Sequence, residues 1–370
     1  MHFIILKENI NQVLAISGRN IANRPQLPIL SNIYLKTERD SLKTVVSNLE
    51  LSLVFNIPAK IEKEGEITVP GKLLSEFISS VKTNKIEFVH ENNILTVQTE
   101  TTKATFSTMP TNDFPPLPKI PEAKNKLNIA QITDTIQRVA FAASNDEGRP
   151  VLTGVRIIAS QNKINLTATD GYRLSLENIE LKNEKQEFQM IIPASSLSEI
   201  TRIVSELKKD FLGFSLIEGK NQAVFTFDNG ALFTRLIEGQ FPKVENIIPQ
   251  SGKTKVVVEK DELMQAVKTT SLFARNSANI IKIKVEKKGL RLSAATPQLG
   301  SDEDFVEAEV ACEEMEIAFN FRFLLDLLNN FPEENLIFEA SGPLNPGVFK
   351  PQSASLSFLH IIMPVRIQGQ

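Results

Sequence analysis

Two hydrophobic rhythms alternate along the chain. At Ile281, Ile283 and Val285, apolar residues are interleaved with Lys282, Lys284 and Glu286. That is the period of two that turns one face of a strand to a core and the other to water. Lys288-Gly289 then turns the chain into Leu290 and Leu292. Asp228-Asn229-Gly230 separates Val224-Phe225-Thr226-Phe227 from Ala231-Leu232-Phe233, a hairpin signal because Asn-Gly accepts positive φ. Asp170-Gly171 predicts a similar turn. Other segments carry a helical stripe instead: Leu73, Leu74, Phe77, Ile78 and Val81 in one, Leu197, Ile200, Val204 and Leu207 in another.

The two rhythms recur in register. Ile67-Thr-Val-Pro-Gly-Lys-Leu-Leu-Ser-Glu-Phe-Ile78 reads as a short strand, a proline break and an amphipathic helix. The pattern returns at Met190-Ile-Ile-Pro-Ala-Ser-Ser-Leu-Ser-Glu-Ile200 and at Ile317-Ala-Phe-Asn-Phe-Arg-Phe-Leu-Leu-Asp-Leu327. Leu74, Leu197 and Leu324 correspond, as do Glu76, Glu199 and Asp326. A second pattern opens each third of the chain, with Ile10 and Val13 matching Ile136 and Val139, then Leu263 and Ala266, on a helix that follows an apolar strand. Each third therefore holds two halves of one helix on an antiparallel sheet, and the class is α+β. Pro115-Pro-Leu-Pro-Lys-Ile-Pro121 cannot continue a central strand or helix, because proline lacks the amide donor. Pro249-Gln-Ser-Gly252 is a second seam, so the expected domains are 1–122, 123–250 and 251–370.

Composition narrows the function classes. The chain is 42% hydrophobic and 23% charged, as in a soluble globular protein. No run reaches the ~20 apolar residues of a membrane span, and Met1 to Glu8 lacks the features of a signal peptide. A single cysteine, Cys312, excludes an internal disulfide and suits the cytoplasm. With 41 Lys+Arg against 44 Asp+Glu, the chain lacks the basic excess of proteins that grip DNA by neutralising phosphates. Any DNA contact must come from segregated positive charge, or the protein must be held by topology.

Candidate chemistry is sparse. His2 and His90 fall in the first third and His360 in the last, far apart in the chain and without metal-ligand spacing. Gly71-Lys72 lacks the spacing and hydroxyl of a phosphate loop. Asp302-Glu303-Asp304 could bind a divalent metal, but no second carboxylate cluster converges on it, and a solvated loop or charged interface is the competing reading. No metal, cofactor or catalytic residue is expected. Positive charge does recur on the predicted helices: Lys72 and Lys82, Arg138, Arg202 with Lys208 and Lys209, Lys268, Arg275 and Arg322. Gathered on one side, these cations would make weak, sequence-blind phosphate contacts.

Five segments together resemble one family: Arg24-Pro-Gln-Leu-Pro-Ile-Leu30, Ala168-Thr-Asp-Gly-Tyr-Arg-Leu174, Leu236-Ile-Glu-Gly-Gln-Phe-Pro242, Met315-Glu-Ile-Ala-Phe-Asn320 and Ile361-Ile-Met-Pro-Val-Arg366. The chain resembles, over essentially its whole length, the beta subunit of bacterial DNA polymerase III, the replication sliding clamp. The resemblance implies three repeated domains of the DNA-clamp fold and a homodimer closed head to tail into a ring around duplex DNA. It implies a non-catalytic processivity factor. Its partners would be the polymerase III alpha subunit, the clamp loader, and other polymerases and repair proteins that carry short linear motifs. It places a peptide cleft at Leu152, Thr169, Gly171, Tyr172, Arg173, Leu174, Pro242 and Ile247, with Ile361, Ile362, Met363, Pro364, Val365 and Arg366. It places DNA contacts at Arg24 and Arg149, beside the helix cations Lys72, Lys82, Arg138 and Arg202, and a dimer contact at Leu272 and Phe273 bordered by Asp302 to Asp304. Two other readings compete: a nuclease or nucleotidyltransferase on the same repeats, and a monomeric peptide-binding adaptor.

Overall fold

The structure is a computed structural model that describes residues 1–21, 27–116, 119–123, 125–160, 162–180, 187–208, 210–217, 219–249, 252–297, 299–311, 314–353 and 355–366. Arg24, Lys209 and Cys312 lie outside the described residues. Among those described, no helix is long and apolar enough to cross a membrane.

Among the described residues, six α-helices each follow directly on a short strand: α1 (Lys7–Arg19), α2 (Gly71–Ser80), α3 (Ile129–Ala140), α4 (Ala194–Leu207), α5 (Lys260–Ala274) and α6 (Phe321–Asn330). The strand-to-helix step is built the same way in the repeats. Pro70 and Pro193 are the last residues of their strands, opposite Asn32 and Gly154, where the missing amide is tolerated. In the third repeat Asn320 takes that place and caps α6, its Oδ1 accepting the Arg322 N–H at 3.0 Å. Glu259 caps α5 in the same manner through the amides of Asp261 and Glu262. The helical stripes are buried at Leu74 and Ile78, and at Leu197, Ile200 and Val204. Leu73, expected in the stripe, points to solvent, because it lies about 100° around the helix from Leu74.

The chain packs as two compact units, 1–130 with 199–236, and 131–198 with 237–370. The first unit holds two antiparallel sheets. One has five strands in the order Lys60–Lys63, His2–Leu6, Lys85–Glu91, Ile94–Gln98 and Lys103–Ser107. The other has eight, and joins Leu51–Pro58 of the first third to Gly230–Arg235 of the second. The second unit is one twelve-stranded sheet in which Arg173–Glu180 pairs with Ser357–Ile362. The central third thus contributes one half-sheet to each unit. Sheets do not stop at the half-repeats, as a sequence period alone suggests, because a strand left at an edge satisfies its amides by pairing with the neighbouring repeat.

The hairpin expected at Asn229 forms, with Phe227 opposite Gly230, but not for the expected reason. Neither Asn229 nor Gly230 has positive φ. Gly230 is required by proximity instead, since a Cβ there would stand 2.2 Å from the Val54 carbonyl. At Gly171 the conformational argument holds, with φ +94°. Asp302 to Asp304 lie on a strand, Gly300–Ala311, rather than in a loop.

Candidate functional site

The pairing of Arg173–Glu180 with Ser357–Ile362 brings together two stretches far apart in the chain. Arg173 stands opposite Ile362 and Leu174 opposite Ile361. Beyond the strand, the Met363 N–H donates to the Tyr172 carbonyl and the Val365 N–H to that of Ala318, both at 2.8 Å. Asp170 organises the turn: its Oδ1 accepts the amides of Tyr172 (2.8 Å) and Arg173 (3.0 Å), and its Oδ2 accepts from Arg173 Nε (3.1 Å). Thr169 Oγ1 accepts the Gly171 N–H and donates to the Arg173 carbonyl at 2.6 Å. The Asp-Gly turn read from sequence is therefore a braced scaffold.

Arg173 is held from several directions. Nη1 donates to Asp326 at 2.5 Å and Nη2 to the Phe141 carbonyl at 3.0 Å. The guanidinium carbon lies 4.8 Å from the Phe323 ring centre and 5.5 Å from that of Phe141. Tyr172 stacks towards the same Phe323 but is 60% exposed. Behind the turn, His360 is fully buried, its Nδ1 2.6 Å from Ser175 Oγ and its ring stacked on Phe141. Burial, with a smaller push from the charge of Arg173, lowers the imidazole to about 3, so the ring is neutral.

The expected cleft residues divide into two kinds. Leu174 and Ile361 join Ile191, Phe241, Val244 and Val348 in one apolar cluster, and Ile362 belongs to the larger core around Phe319 and Phe338. At 3%, 1% and 0% exposure, these three are buried beneath the surface. The surface offered to a ligand is Tyr172, Pro242, Ile247, Met363 and Arg366, which are exposed, with Leu152, Pro364 and Val365 half-buried beside them. Pro242 and Ile247 lie on a segment pinned from beneath by Arg156, whose Nη2 donates to Glu245 at 2.9 Å and whose guanidinium covers the Phe241 ring at 5.1 Å. Such a surface, apolar with a rigid polar frame, suits a short extended peptide with apolar anchors. Among the described residues, no group of three or more His, Cys, Asp or Glu is placed to hold a metal ion.

Three models of the DNA polymerase III beta subunit match this chain, the N-terminal domain at 1–118, the central domain at 126–243 and the C-terminal domain at 245–366. The chain belongs to the DNA polymerase III beta subunit family. It is 27% identical to a beta sliding clamp of Synechocystis, over 99% of this chain and 100% of that protein. Its structure is similar to the DNA polymerase sliding clamp of Bacillus subtilis, with a TM-score of 0.93 and 25% identity over 99% of both chains. It is also similar to the DNA polymerase III subunit beta of Pseudomonas aeruginosa, with a TM-score of 0.92 and 26% identity over 99% of this chain and 100% of that one.

In this member of the beta subunit family, the basic residues proposed for DNA have different surroundings. Arg138 points inward, its side chain 14% exposed, and grips the buried carboxylate of Glu177 through Nε at 2.7 Å and Nη2 at 2.6 Å. Burial alone would depress its guanidinium, but Glu177 outweighs that and the net shift is upward. This cation is already engaged by Glu177 on the side of α3 that faces the sheet, an arrangement that does not favour the phosphate contact expected of Arg138. Arg202 is exposed and lies 3.8 Å from Glu199 in an ion pair. Lys82 is also exposed, just past the end of α2 rather than on it. Lys72 is half-buried and engaged in an interaction of its own. Arg149 is half-exposed and donates from Nε to Asp146 at 3.0 Å. The Gly148 amide and then Arg149 hold that carboxyl below its usual range.

On α5, Leu272 is 57% exposed and Phe273 half-buried. The acidic run beside them is divided: Asp302 accepts the Thr270 hydroxyl at 2.8 Å, Glu303 pairs with Arg291 at 2.8 Å, and Asp304 accepts the Phe305 amide. Sequence reasoning missed Phe141, Phe323 and Arg156, for which no local signal exists. It also missed that Asp326 accepts from Arg173; the equivalent Glu199 accepts from Arg19 at 3.4 Å, a parallel that only the fold reveals. Open sheet edges went unnoticed as well. Lys103–Ser107 ends the five-stranded sheet. The first part of Gly300–Ala311 pairs only with Gly289–Thr296, since Lys255–Val258 meets only Ala308 to Ala311.

Proposed function

We propose that the chain is a DNA sliding clamp of three domains, meeting near residues 122 and 250. Two copies close head to tail around duplex DNA in the cytoplasm, and the ring tethers the replicative polymerase and other replication and repair proteins. The observation that carries this reading is the full-length likeness to proteins named sliding clamps, at a TM-score of 0.93. Two features of the chain support it further. The open edges at Lys103–Ser107 and at the start of Gly300–Ala311 expose unpaired backbone amides and carbonyls, and closure with a second copy would satisfy them. Leu272, exposed on α5, adds apolar surface for the same contact.

Duplex DNA is held by topology rather than by strong affinity, consistent with a net charge of −3. Arg202, Lys82 and Arg149 provide phosphate contacts that carry no sequence information. Partners dock extended peptides on Tyr172, Pro242, Ile247 and Met363, over the floor made by Leu174, Ile361 and Ile362. The protein carries no catalysis of its own: Asp302, Glu303 and Asp304 each have a separate structural partner, and they point to alternate faces of a strand. The test is retention on DNA. After loading, the protein should co-elute with nicked circular DNA and be lost when that DNA is linearised. Equal loss from both would refute encirclement.

A further inference from the structure

The first unit contains a groove of about 940 Å³ that none of the roles above uses. It lies over the ends of the central strands of the eight-stranded sheet, beside the proline-rich seam. Phe233, Leu216 and Ile217 come from the sheet, Pro115 and Pro116 from the seam. Its volume is in the range that takes a ligand or a short peptide. Two large apolar side chains in its lining stay open to water: Leu49 is 46% exposed and Ile120 36%.

Leu49 is held there against its own preference. It has φ +76° at the tip of the hairpin between Ser41–Ser47 and Leu51–Pro58, a conformation that suits Gly or Asn and is rare for leucine. The turn enforces it: Asn48 Oδ1 accepts the amides of Glu50 and Leu51, and Ser47 Oγ accepts that of Leu49. An outlying backbone that presents an exposed leucine into a groove points to use of that leucine.

Charge identifies the occupant. Lys119, Lys220 and Arg235 line the groove, against one carboxylate, Glu122. None of the three cations is in an ion pair among the described residues, and all three are exposed. This local excess runs against a chain whose overall balance is acidic. Duplex DNA would use the cations but not the apolar lining, because a phosphate backbone gains nothing from proline and leucine. We propose that this groove is a second peptide-docking site, distinct from the one at Tyr172 and Met363, and that it takes an acidic segment of a partner protein. Aliphatic side chains of that segment lie on Leu49, Ile120 and Pro116, and its carboxylates meet Lys119, Lys220 and Arg235.

The probe is a fluorescein-labelled Glu-Leu-Asp-Ile-Glu-Val-Asp-Leu peptide, titrated into the full-length protein and followed by anisotropy. Saturable binding is expected. It should weaken at least tenfold in K220E/R235E and in Leu49→Asp, persist in Met363→Ala, and be absent for the peptide with lysine at each acidic position. Circular dichroism checks that the variants fold, which exposed positions should allow. Absence of saturable binding would overturn the proposal, as would binding undiminished in K220E/R235E or lost in Met363→Ala. So would loss of duplex-DNA affinity in K220E/R235E without loss of peptide binding. A failure of the ring itself leaves this test unaffected, because the titration needs no DNA.

Discussion

Arg138 and Arg202 look alike in the sequence, both arginines on predicted helices, yet their replacement by methionine should have opposite consequences. The Glu177 carboxylate is 2% exposed and accepts three hydrogen bonds, from Arg138 Nε, Arg138 Nη2 and the Thr135 hydroxyl at 3.1 Å. Arg138→Met removes two of them and the only charge partner of Glu177 among the described residues, leaving a buried anion. Breaking such a pair from one side costs about 3–5 kcal/mol. Arg202 sits 3.8 Å from Glu199 with its side chain 59% exposed, and an exposed pair is worth about 0–1 kcal/mol. The chain has no tryptophan, so unfolding in urea is best followed by far-UV circular dichroism. DNA binding is followed by anisotropy of a labelled duplex across a salt series, where each phosphate contact contributes about 0.9 to the slope of log K against log salt. Arg138→Met should unfold at distinctly lower urea and keep the wild-type slope. Arg202→Met should unfold like the wild type and lose up to about two units of slope, about 0.9 from each copy. If Arg138→Met kept its stability and lost slope, the inward placement of that side chain would be wrong.

Three further outcomes follow from the same reasoning. Alanine at Met363 to Arg366 should weaken binding of a Gln-Leu and Leu-Phe-containing peptide at least tenfold, since a few anchors carry most interface energy, while light scattering shows an unchanged dimer; undiminished peptide affinity would mean that the cleft is misplaced. Leu272→Ala with Phe273→Ala should raise the dimer dissociation constant at least tenfold, and unchanged dimerisation in a correctly folded double variant would remove these residues from the interface. For His360, the folded value of about 3 lies below the ordinary 6.5, so the unfolded chain binds the extra proton and acid drains stability between those limits. That contribution amounts to at most about 1.4 kcal/mol per pH unit. His360→Gln should therefore show a shallower loss of urea stability from pH 7 to 5 than the wild type, and an identical slope would show that His360 does not titrate on unfolding.

The six helices and their strands were legible from periodicity, because burying one face of a helix or strand imposes a 3.6- or 2-residue rhythm on any chain. The strand-to-helix repeats at Pro70, Pro193 and Asn320 and the turn at Gly171 could be read the same way. These are local matters: backbone geometry, capping and composition act within a few residues. Which groups meet was another matter. Leu174, Ile361 and Ile362 read as cleft residues and lie buried in apolar clusters. Arg138 read as a free cation and is instead paired with the buried Glu177. The hairpin at Gly230 read as a demand for positive φ and proved to be a demand for room beside Val54. In each case the deciding contact comes from a strand dozens to nearly two hundred residues away. Pairing of Arg173 with Ile362 or of Gly230 with Phe55 is set by how twisted sheets join, and no local pattern encodes that. Burial and charge pairing are properties of such junctions, so they could be assigned only when the chain was folded.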